Sequence, residues 1–225
     1  MSHFYHPQKD GTAKLMSSIT SPAKARKTGA LASVTTMLGL IPSDFLSKWT
    51  RQQVFTMAKS GLTFEECEER RYGMRRDVDG RFVTSSSFGT SVHKALEVHL
   101  ERMSDGDLSP NSGSYNAYVN PFSSWFKDGG YSLVAAETTV FCLKRKTAGT
   151  IDVLAKDASG DFVLLDFKTR AVRDDVKPES KTYLKDCAQL AVEAEIVREF
   201  HSLDYMPRIM SIVIATDDGR TGVKR

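Results

Sequence analysis

The stretch GTIDVLAKDASGDFVLLDFKTR, residues 149–170, predicts two neighbouring β-strands joined by a tight turn. Apolar and β-branched residues fill the runs on both sides of the segment DASGD, whose Asp and Gly residues suit the backbone angles of a hairpin turn. Residues 131–141 predict another extended segment upstream. A long amphipathic helix is expected over residues 182–200, followed by a strongly apolar strand over 208–216. Together these elements predict an α/β sheet core over residues 131–225.

The part of the chain before this core has helical spacing of its apolar residues. Helices are expected on both sides of Pro42, over residues 64–77 with Thr63 and Glu66 as a capping box, over 88–103 and over 115–127. We expect residues 31–130 to form an N-terminal helical lobe that makes one integrated domain with the sheet core. Residues 1–30 are polar and lack periodicity, which predicts a flexible basic arm. Such an arm either contacts phosphate or is simply solvated.

Composition restricts the class of protein but not its function. The chain has 225 residues, of which 40% are hydrophobic and 26% are charged, as in an ordinary globular protein. No apolar run is long enough for a membrane span and no signal-peptide core is visible, so we expect a cytoplasmic protein without a membrane partner. The net charge of +3 is a weak signal for any partner.

The cysteines indicate neither a disulfide framework nor a metal cluster. Cys67, Cys142 and Cys187 lie far apart and form no CxxC pair. An odd number of isolated cysteines argues against a zinc or iron–sulfur site held by thiolates.

Asp152, Asp166 and Lys168 form the most informative group of polar residues. Asp166 and Lys168 are two residues apart in a strand and therefore share one face, and the hairpin brings the strand of Asp152 alongside. Carboxylate oxygens suit Mg²⁺ or Mn²⁺, and a metal held there would polarise a phosphoryl oxygen and activate water. Lys168 would orient that water or stabilise the charge on the phosphate. Taken alone, a D-x-K pattern is also typical of an exposed strand with alternating charges.

Two predicted helices carry further candidates for the same site. His93 and Glu97 are four residues apart on one helical face, where they can add ligands to the same metal or to a second one. The alternative is that they have no ligand role, with His93 facing solvent or making a hydrogen bond in the core. Gln189 follows on the long helix, where its amide can hold Lys168 or a phosphate. Tyr183 lies nearly two turns earlier on a similar face.

In this order, G-x-x-x-H-x-x-x-E at Gly89–Glu97, GTID, DFK and a helix with Gln-Leu, the chain resembles the PD-(D/E)XK nuclease superfamily over residues 33–216. It is most similar to the RecB-type branch, which includes phage-type and mitochondrial single-strand DNA exonucleases. The resemblance implies a restriction-endonuclease-like core, in which helices flank a central mixed sheet. It further implies metal ligation by His93, Glu97, Asp152, Asp166 and the backbone carbonyl of Phe167, a catalytic role for Lys168, and site roles for Glu137 and Gln189.

The chain departs from the pattern of this branch in two ways. Glu193 stands where a tyrosine is expected, four residues after Gln189, so the sequence does not define how this motif contacts DNA. Tyr183 is an alternative to the missing tyrosine. The four cysteines of the iron–sulfur members are absent, so no such cluster is expected.

The resemblance implies a Mg²⁺- or Mn²⁺-dependent deoxyribonuclease, and we expect an exonuclease in recombination, repair or replication. Its expected partners are single-stranded DNA or duplex ends, together with a recombination or replication protein. The alternatives are a catalytically inactive nuclease-fold module that binds DNA or protein, and a structure- or sequence-specific endonuclease.

Overall fold

The computed structural model describes residues 3–19, 21–39, 44–70 and 73–225, and in them the chain is an α/β protein in which helices flank a mixed sheet. The strands are β1 (Phe4–Pro7), β2 (Ala13–Leu15), β3 (Leu31–Ser33), β4 (Met74–Arg76), β5 (Phe82–Thr84), β6 (Ser132–Cys142), β7 (Thr147–Lys156), β8 (Phe162–Arg170), β9 (Arg208–Ala215) and β10 (Thr221–Lys224). The helices are α1 (Pro22–Thr28), α2 (Val34–Leu38), α3 (Asp44–Lys59), α4 (Phe64–Arg70), α5 (Ser85–Ser104), α6 (Asn116–Asp128) and α7 (Leu184–Phe200), with a short 3₁₀ turn at Pro178–Lys181.

The predicted hairpin of β7 and β8 is confirmed. The carboxylate of Asp157 accepts hydrogen bonds from the backbone N–H groups of Ser159 and Asp161 at 2.8 and 3.1 Å. Gly160 has a φ of +87°, a conformation that glycine adopts without strain. The side chain of Asp157 and the glycine together fix the turn, and the turn sets the register of the two strands.

The sheet is mixed because β8 pairs with β9 in parallel through the crossover helix α7, whereas β9 pairs with β10 antiparallel. Strand β7 is shared by three neighbours. Along one edge it pairs with β6; along the other it pairs with β8 at Val153–Lys156 and with β3 at Thr147 and Ala148. Residues 149–152 lie between these last two ladders, and we call them the fork of β7. Asp152 stands at this fork, beside the first residue of the β8 ladder.

Apolar side chains pack helices onto both faces of the sheet. One core contains Phe88, Val92 and Leu96 of α5 and Phe122 of α6, packed against residues of β7, β8 and β9 that include Phe167. The opposite core joins Leu190 and Ala194 of α7 to Leu154 and Leu164. Because successive residues of a strand point to opposite faces, Asp166 and Lys168 lie on the α7 side whereas Phe167 faces α5.

The expected flexible arm over residues 1–30 differs from the structure. β1 pairs with β2 and with β3, which joins this segment to the main sheet through β7. Phe4 and Ile19 are buried together with Ala25 in a small core of their own. These apolar residues are few and irregularly spaced, so neither a helical nor a strand period reveals them in the sequence.

A further expectation about secondary structure is wrong. The helix predicted over residues 64–77 ends at Arg70, although its capping box is present, with Glu66 accepting from the Thr63 N–H at 2.8 Å. Gly73 has a φ of +94°, and β4 then pairs with β5.

The helices predicted over 88–103 and 115–127 are confirmed as α5 and α6, and both lie directly on the sheet. Pro42, the predicted break between two helices, lies outside the described residues. In the described part of the chain, no helix combines the length and apolar character needed to cross a bilayer.

Candidate metal and phosphodiester site

Asp152 is held at the fork of β7 by the neighbouring strand. Its Oδ2 accepts a hydrogen bond from the backbone N–H of Phe167 at 2.7 Å. Helix α5 brings His93 over the same place, with Nδ1 lying 3.7 Å from Oδ2 of Asp152. The His93 ring packs edge-on against the Phe167 ring, with centroids 5.7 Å apart. The fork and the helix together set the positions of an imidazole and a carboxylate.

Glu137 completes a group of three possible metal ligands. His93, Glu137 and Asp152 each offer one ligand atom, and these atoms lie within 4.8 Å of one another. Glu137 sits in β6 between the paired residues Ala136 and Thr138, and its φ of 45° is unusual for a non-glycine residue. Such backbone strain is concentrated at functional sites. One imidazole and two carboxylates form a donor set that suits Mn²⁺, and the carboxylates also suit Mg²⁺.

His93 is suited to bind a cation because it is neutral. Burial, followed by the positive charge of Lys168, lowers the pKa of His93 to about 4. A backbone hydrogen bond to Phe167 acts in the opposite direction. Only an acceptor favours the charged imidazole, so this partner is the Phe167 carbonyl. That carbonyl, a metal ligand implied by the family resemblance, therefore lies next to His93.

Asp166 lies on the α7 side of the sheet and is only 3% exposed. Its Oδ1 accepts from Lys168 Nζ at 2.6 Å and from Gln189 Nε2 at 3.2 Å. Its Oδ2 is buried and has no hydrogen-bond partner within the described ranges. Burial raises the pKa of Asp166 to about 6, and the charge of Asp152 adds to the effect. An unpartnered, buried carboxylate oxygen is costly, and a cation is the partner that fits it best.

A chain of polar contacts continues from Lys168 along α7. Lys168 Nζ lies 3.5 Å from Gln189 Oε1, and Gln189 Nε2 donates to Glu193 Oε1 at 3.0 Å. Glu193 is only 2% exposed; burial, together with the charge of Asp166, raises its pKa to about 8. Glu193 is therefore mostly protonated at neutral pH. From the sequence, Glu193 is noticeable only because it replaces an expected tyrosine, although its position four residues after Gln189 places it on the same helical face.

Asp166, predicted as a ligand of the same metal, is not part of the group of three. Two further predicted candidates lie beside this site without joining it. Glu97 accepts a hydrogen bond from Lys94 at 2.6 Å, and the structure does not bring it into the group of three ligands. Its charge nevertheless contributes, after burial and Asp152, to raising the pKa of Glu137 to about 7. Tyr183, considered as a replacement for the missing tyrosine, instead lies against the guanidinium of Arg170, 5.2 Å from the ring centroid.

The site therefore concentrates carboxylates where the protein itself offers few cations. Burial raises the pKa of Asp152 as it does that of Asp166, because both carboxylates are poorly solvated. Lys168 balances part of this negative charge. A divalent cation would balance the rest and would gain a neutral imidazole as a further ligand.

Neither a scan against models of known protein families nor a search of curated proteins finds a match for this chain.

Proposed function

We propose that this protein is a Mg²⁺- or Mn²⁺-dependent deoxyribonuclease with a restriction-endonuclease-like core. The observation that carries the proposal is the convergence of His93, Glu137 and Asp152 at the fork of β7. The buried pair of Asp166 and Lys168 lies on the adjacent strand. The order of α5, β6, β7, β8, α7 and β9 around a mixed sheet supports the same core, since it presents these residues from three strands and from α5.

A metal ion bound by these residues would polarise a phosphoryl oxygen and lower the pKa of a bound water. The protein's own groups have separate tasks. Burial alone would lower the pKa of Lys168, but the charge and hydrogen bond of Asp166 outweigh it, so that the pKa is raised and the lysine stays charged. A charged Lys168 can orient the attacking water or stabilise the negative charge that grows on the phosphate.

Gln189 holds the polar side chains of the site in position. Its amide contacts both Asp166 and Lys168, and Glu193 accepts from the same amide. These contacts restrict the lysine to the side of the sheet where Asp166 lies. Holding a catalytic group in one geometry lowers the barrier of a reaction, because less freedom is lost when the substrate arrives.

The reaction is tested by incubating the protein with linear DNA labelled at the 5′ or the 3′ end, beside a closed circular control, with Mg²⁺, with Mn²⁺ and with chelator. We propose an exonuclease that acts in recombination, repair or replication, so linear DNA should be degraded only with metal and the circle should survive. Lys168→Ala and Asp152→Asn should bind single-stranded DNA but leave it intact.

Matched variants control for the loss of charge elsewhere on the same hairpin. Lys156→Ala and Asp161→Asn change exposed residues of β7 and of the turn, and both should cleave like the unaltered protein. Undiminished cleavage by Lys168→Ala or Asp152→Asn contradicts the mechanism. Fragmentation of the circle would identify an endonuclease instead, and binding without cleavage under every metal would identify a binding module.

A further inference from the structure

A cavity of about 380 Å³ lies between the beginning of α5 and the end of β8. We call it the α5–β8 cleft; its walls include Ser86, Gly89 and Thr90 of the helix and Lys168, Thr169 and Arg170 of the strand. His93 also lines it, so the cleft adjoins the candidate metal site through both His93 and Lys168. Its volume falls within the range of about 300–1,000 Å³ that is usual for ligand sites.

The walls of this cleft suit an anion. Hydroxyl groups line it, and none of the described residues lining it is acidic. The side chains of Lys168 and Arg170 turn to Asp166 and Asp186, but their positive charges still act on His93 in the cleft wall. Arg170 donates to both carboxylate oxygens of Asp186, at 3.1 and 3.2 Å, and its Nε is buried without a hydrogen-bond partner within the described ranges. Hydroxyls and cations are the groups that contact the phosphates of nucleic acids. The acidic metal site and this cleft therefore form two adjacent regions of opposite character.

Gly89 lets the two walls approach each other. A Cβ at this position would lie 2.8 Å from Oγ1 of Thr169, closer than real side chains come. With glycine there, α5 passes close to β8, and Thr90 and Thr169 line the same narrow space.

An exposed aromatic residue stands close to the cleft in the chain. The hairpin of β4 and β5 precedes α5 directly, and Ser85 donates to the Gly73 carbonyl through both its N–H and its hydroxyl, at 3.0 and 3.2 Å. On this hairpin Phe82 is 65% exposed, with the Arg76 guanidinium 4.4 Å from its ring centroid. Phe82 lies three residues before Ser85, which lines the cleft, and exposed aromatic rings of nucleic-acid-binding proteins stack on unpaired bases.

We propose that the α5–β8 cleft binds the phosphate of the nucleotide adjacent to the one that is cut, and that Phe82 stacks on the base of that nucleotide. Ser86, Thr90 and Thr169 donate to the phosphate oxygens, Thr90 in place of its contact with the Ser86 carbonyl. Lys168 and Arg170 act through their charges, which reach the cleft wall at His93. This subsite rests on the proposed nuclease function, but it is defined by binding and can be measured without hydrolysis.

The test measures the affinity of the protein for a short fluorescein-labelled oligonucleotide by fluorescence anisotropy. The oligonucleotide is used both as a single strand and as a blunt duplex, and chelator is present to prevent cleavage. Thr90→Val should raise the Kd for both forms about fivefold, because a hydroxyl donor to a charged phosphate is lost. Phe82→Ala should raise the Kd for the single strand about fivefold or more and leave that for the duplex unchanged, since paired bases are not free to stack.

Two variants on α3 match these changes closely. Thr56 donates to the carbonyl of Gln52 at 2.9 Å, as Thr90 donates to that of Ser86 at 3.2 Å, so Thr56→Val removes an equivalent helical contact. Phe55 is 60% exposed, with the Lys59 ammonium 4.7 Å from its ring, so Phe55→Ala removes an equivalent ring. Both control variants should bind like the unaltered protein.

Unchanged affinity in Thr90→Val or Phe82→Ala, or an equal loss in its control, overturns the subsite. A protein that binds the oligonucleotide in this pattern but cleaves no DNA with Mg²⁺ or Mn²⁺ contradicts the nuclease function and leaves the subsite standing. If the unaltered protein does not bind the oligonucleotide, the subsite is wrong whatever the cleavage assay gives.

Discussion

The carboxylate of Asp152 takes the backbone N–H of Phe167 as its partner at the point where the β7 and β8 ladder ends. This one side chain therefore has a structural role, as the partner of the Phe167 N–H, and the proposed role of a metal ligand. The Oδ2 atom that receives this N–H also lies 3.7 Å from Nδ1 of His93. Substitutions at this position can separate the two tasks, because an amide keeps an acceptor oxygen whereas alanine has none.

We expect Asp152→Ala to be less stable than Asp152→Asn by about 1–3 kcal/mol in chelator, the cost of leaving a buried donor without a partner. Asp152→Asn should be at least as stable as the unaltered protein under these conditions, since it removes a poorly solvated charge near Asp166. Urea unfolding measures both differences. Stabilisation by Mn²⁺ should be lost in both variants, and equal stability of the two in chelator would show that the Phe167 N–H does not depend on this side chain.

The buried carboxylates predict how stability changes with pH when metal is absent. Burial raises the pKa of Glu193 from 4.5 to about 8, and Asp166, at about 6, is shifted in the same direction. For each of these two carboxyl groups, the folded state holds more protons than the unfolded state at pH values between the ordinary pKa and the raised pKa. The free energy of unfolding should therefore decrease as pH rises from about 5 to about 8. Urea midpoints in chelator measure this slope.

Two variants of α7 test the source of the slope. Glu193→Gln should flatten it, since the group whose folded pKa is highest is removed. Glu195→Gln should leave it unchanged, because a hydrogen bond from Arg198 lowers the pKa of Glu195 and its titration lies below this window. In Mn²⁺ the dependence should reverse, as the metal binds the deprotonated carboxylates. A slope that is equal in both variants contradicts the assignment to Glu193.

The part of the fold that follows from local pattern was predictable, and the part that depends on distant pairing was not. The hairpin of β7 and β8 is encoded by two apolar runs around Asp157 and Gly160, so its position and turn could be read directly. The pairing of β3 with β7 joins residues more than a hundred positions apart through only two positions of the ladder. No periodicity in residues 1–30 reveals such a contact, nor the burial of Phe4 with Ile19 and Ala25.

The site shows the same division. The spacing of Asp166 and Lys168 in one strand predicts a shared face, and their atoms meet at 2.6 Å. The spacing of His93 and Glu97 predicts a shared helical face as well, but it cannot tell which of them reaches the sheet. In the structure His93 reaches the sheet, where its ring packs against the Phe167 ring, whereas Glu97 accepts a hydrogen bond from Lys94. The left-handed backbone of Glu137 lies between two residues of β6 that pair with β7, and nothing in the sequence pattern predicts it.

Replacing Glu137 by glycine should relieve this backbone strain and so increase stability, but it should weaken metal binding. Glu137 has a φ of 45°, and Glu137→Gly should raise the free energy of unfolding in chelator by about 0.5–1 kcal/mol, since glycine adopts this conformation without a steric cost. The same substitution removes a candidate ligand, so stabilisation by Mn²⁺ should fall.

Lys146 offers a matched control in the turn between β6 and β7, where its φ is 53°. Lys146→Gly should give a similar gain in chelator and leave the effect of Mn²⁺ unchanged. Urea unfolding with and without the metal provides both readings. If Mn²⁺ stabilises Glu137→Gly as strongly as it stabilises Lys146→Gly, Glu137 is not a ligand.

Because α5 lies close to β8, the effect of Gly89→Ala on stability should have opposite signs in two different backgrounds. Alanine is about 1 kcal/mol more favourable than glycine inside a helix, so Gly89→Ala would ordinarily stabilise the protein. Here the new Cβ would lie 2.8 Å from Oγ1 of Thr169, and overpacking of this kind costs about 1–3 kcal/mol. Thr169 has little freedom to rotate away, because it is β-branched and lies in a strand.

We therefore expect Gly89→Ala to lower the urea midpoint in the unaltered background and to raise it when Thr169→Ala is also present. The difference between the two effects, measured as a double-mutant cycle, should be about 2 kcal/mol. Ser87→Ala, an exposed change near the start of the same helix, should show no coupling to Thr169→Ala. An equal gain from Gly89→Ala in both backgrounds would mean that the helix and the strand are further apart at this point, and the narrow wall of the α5–β8 cleft would have to be abandoned.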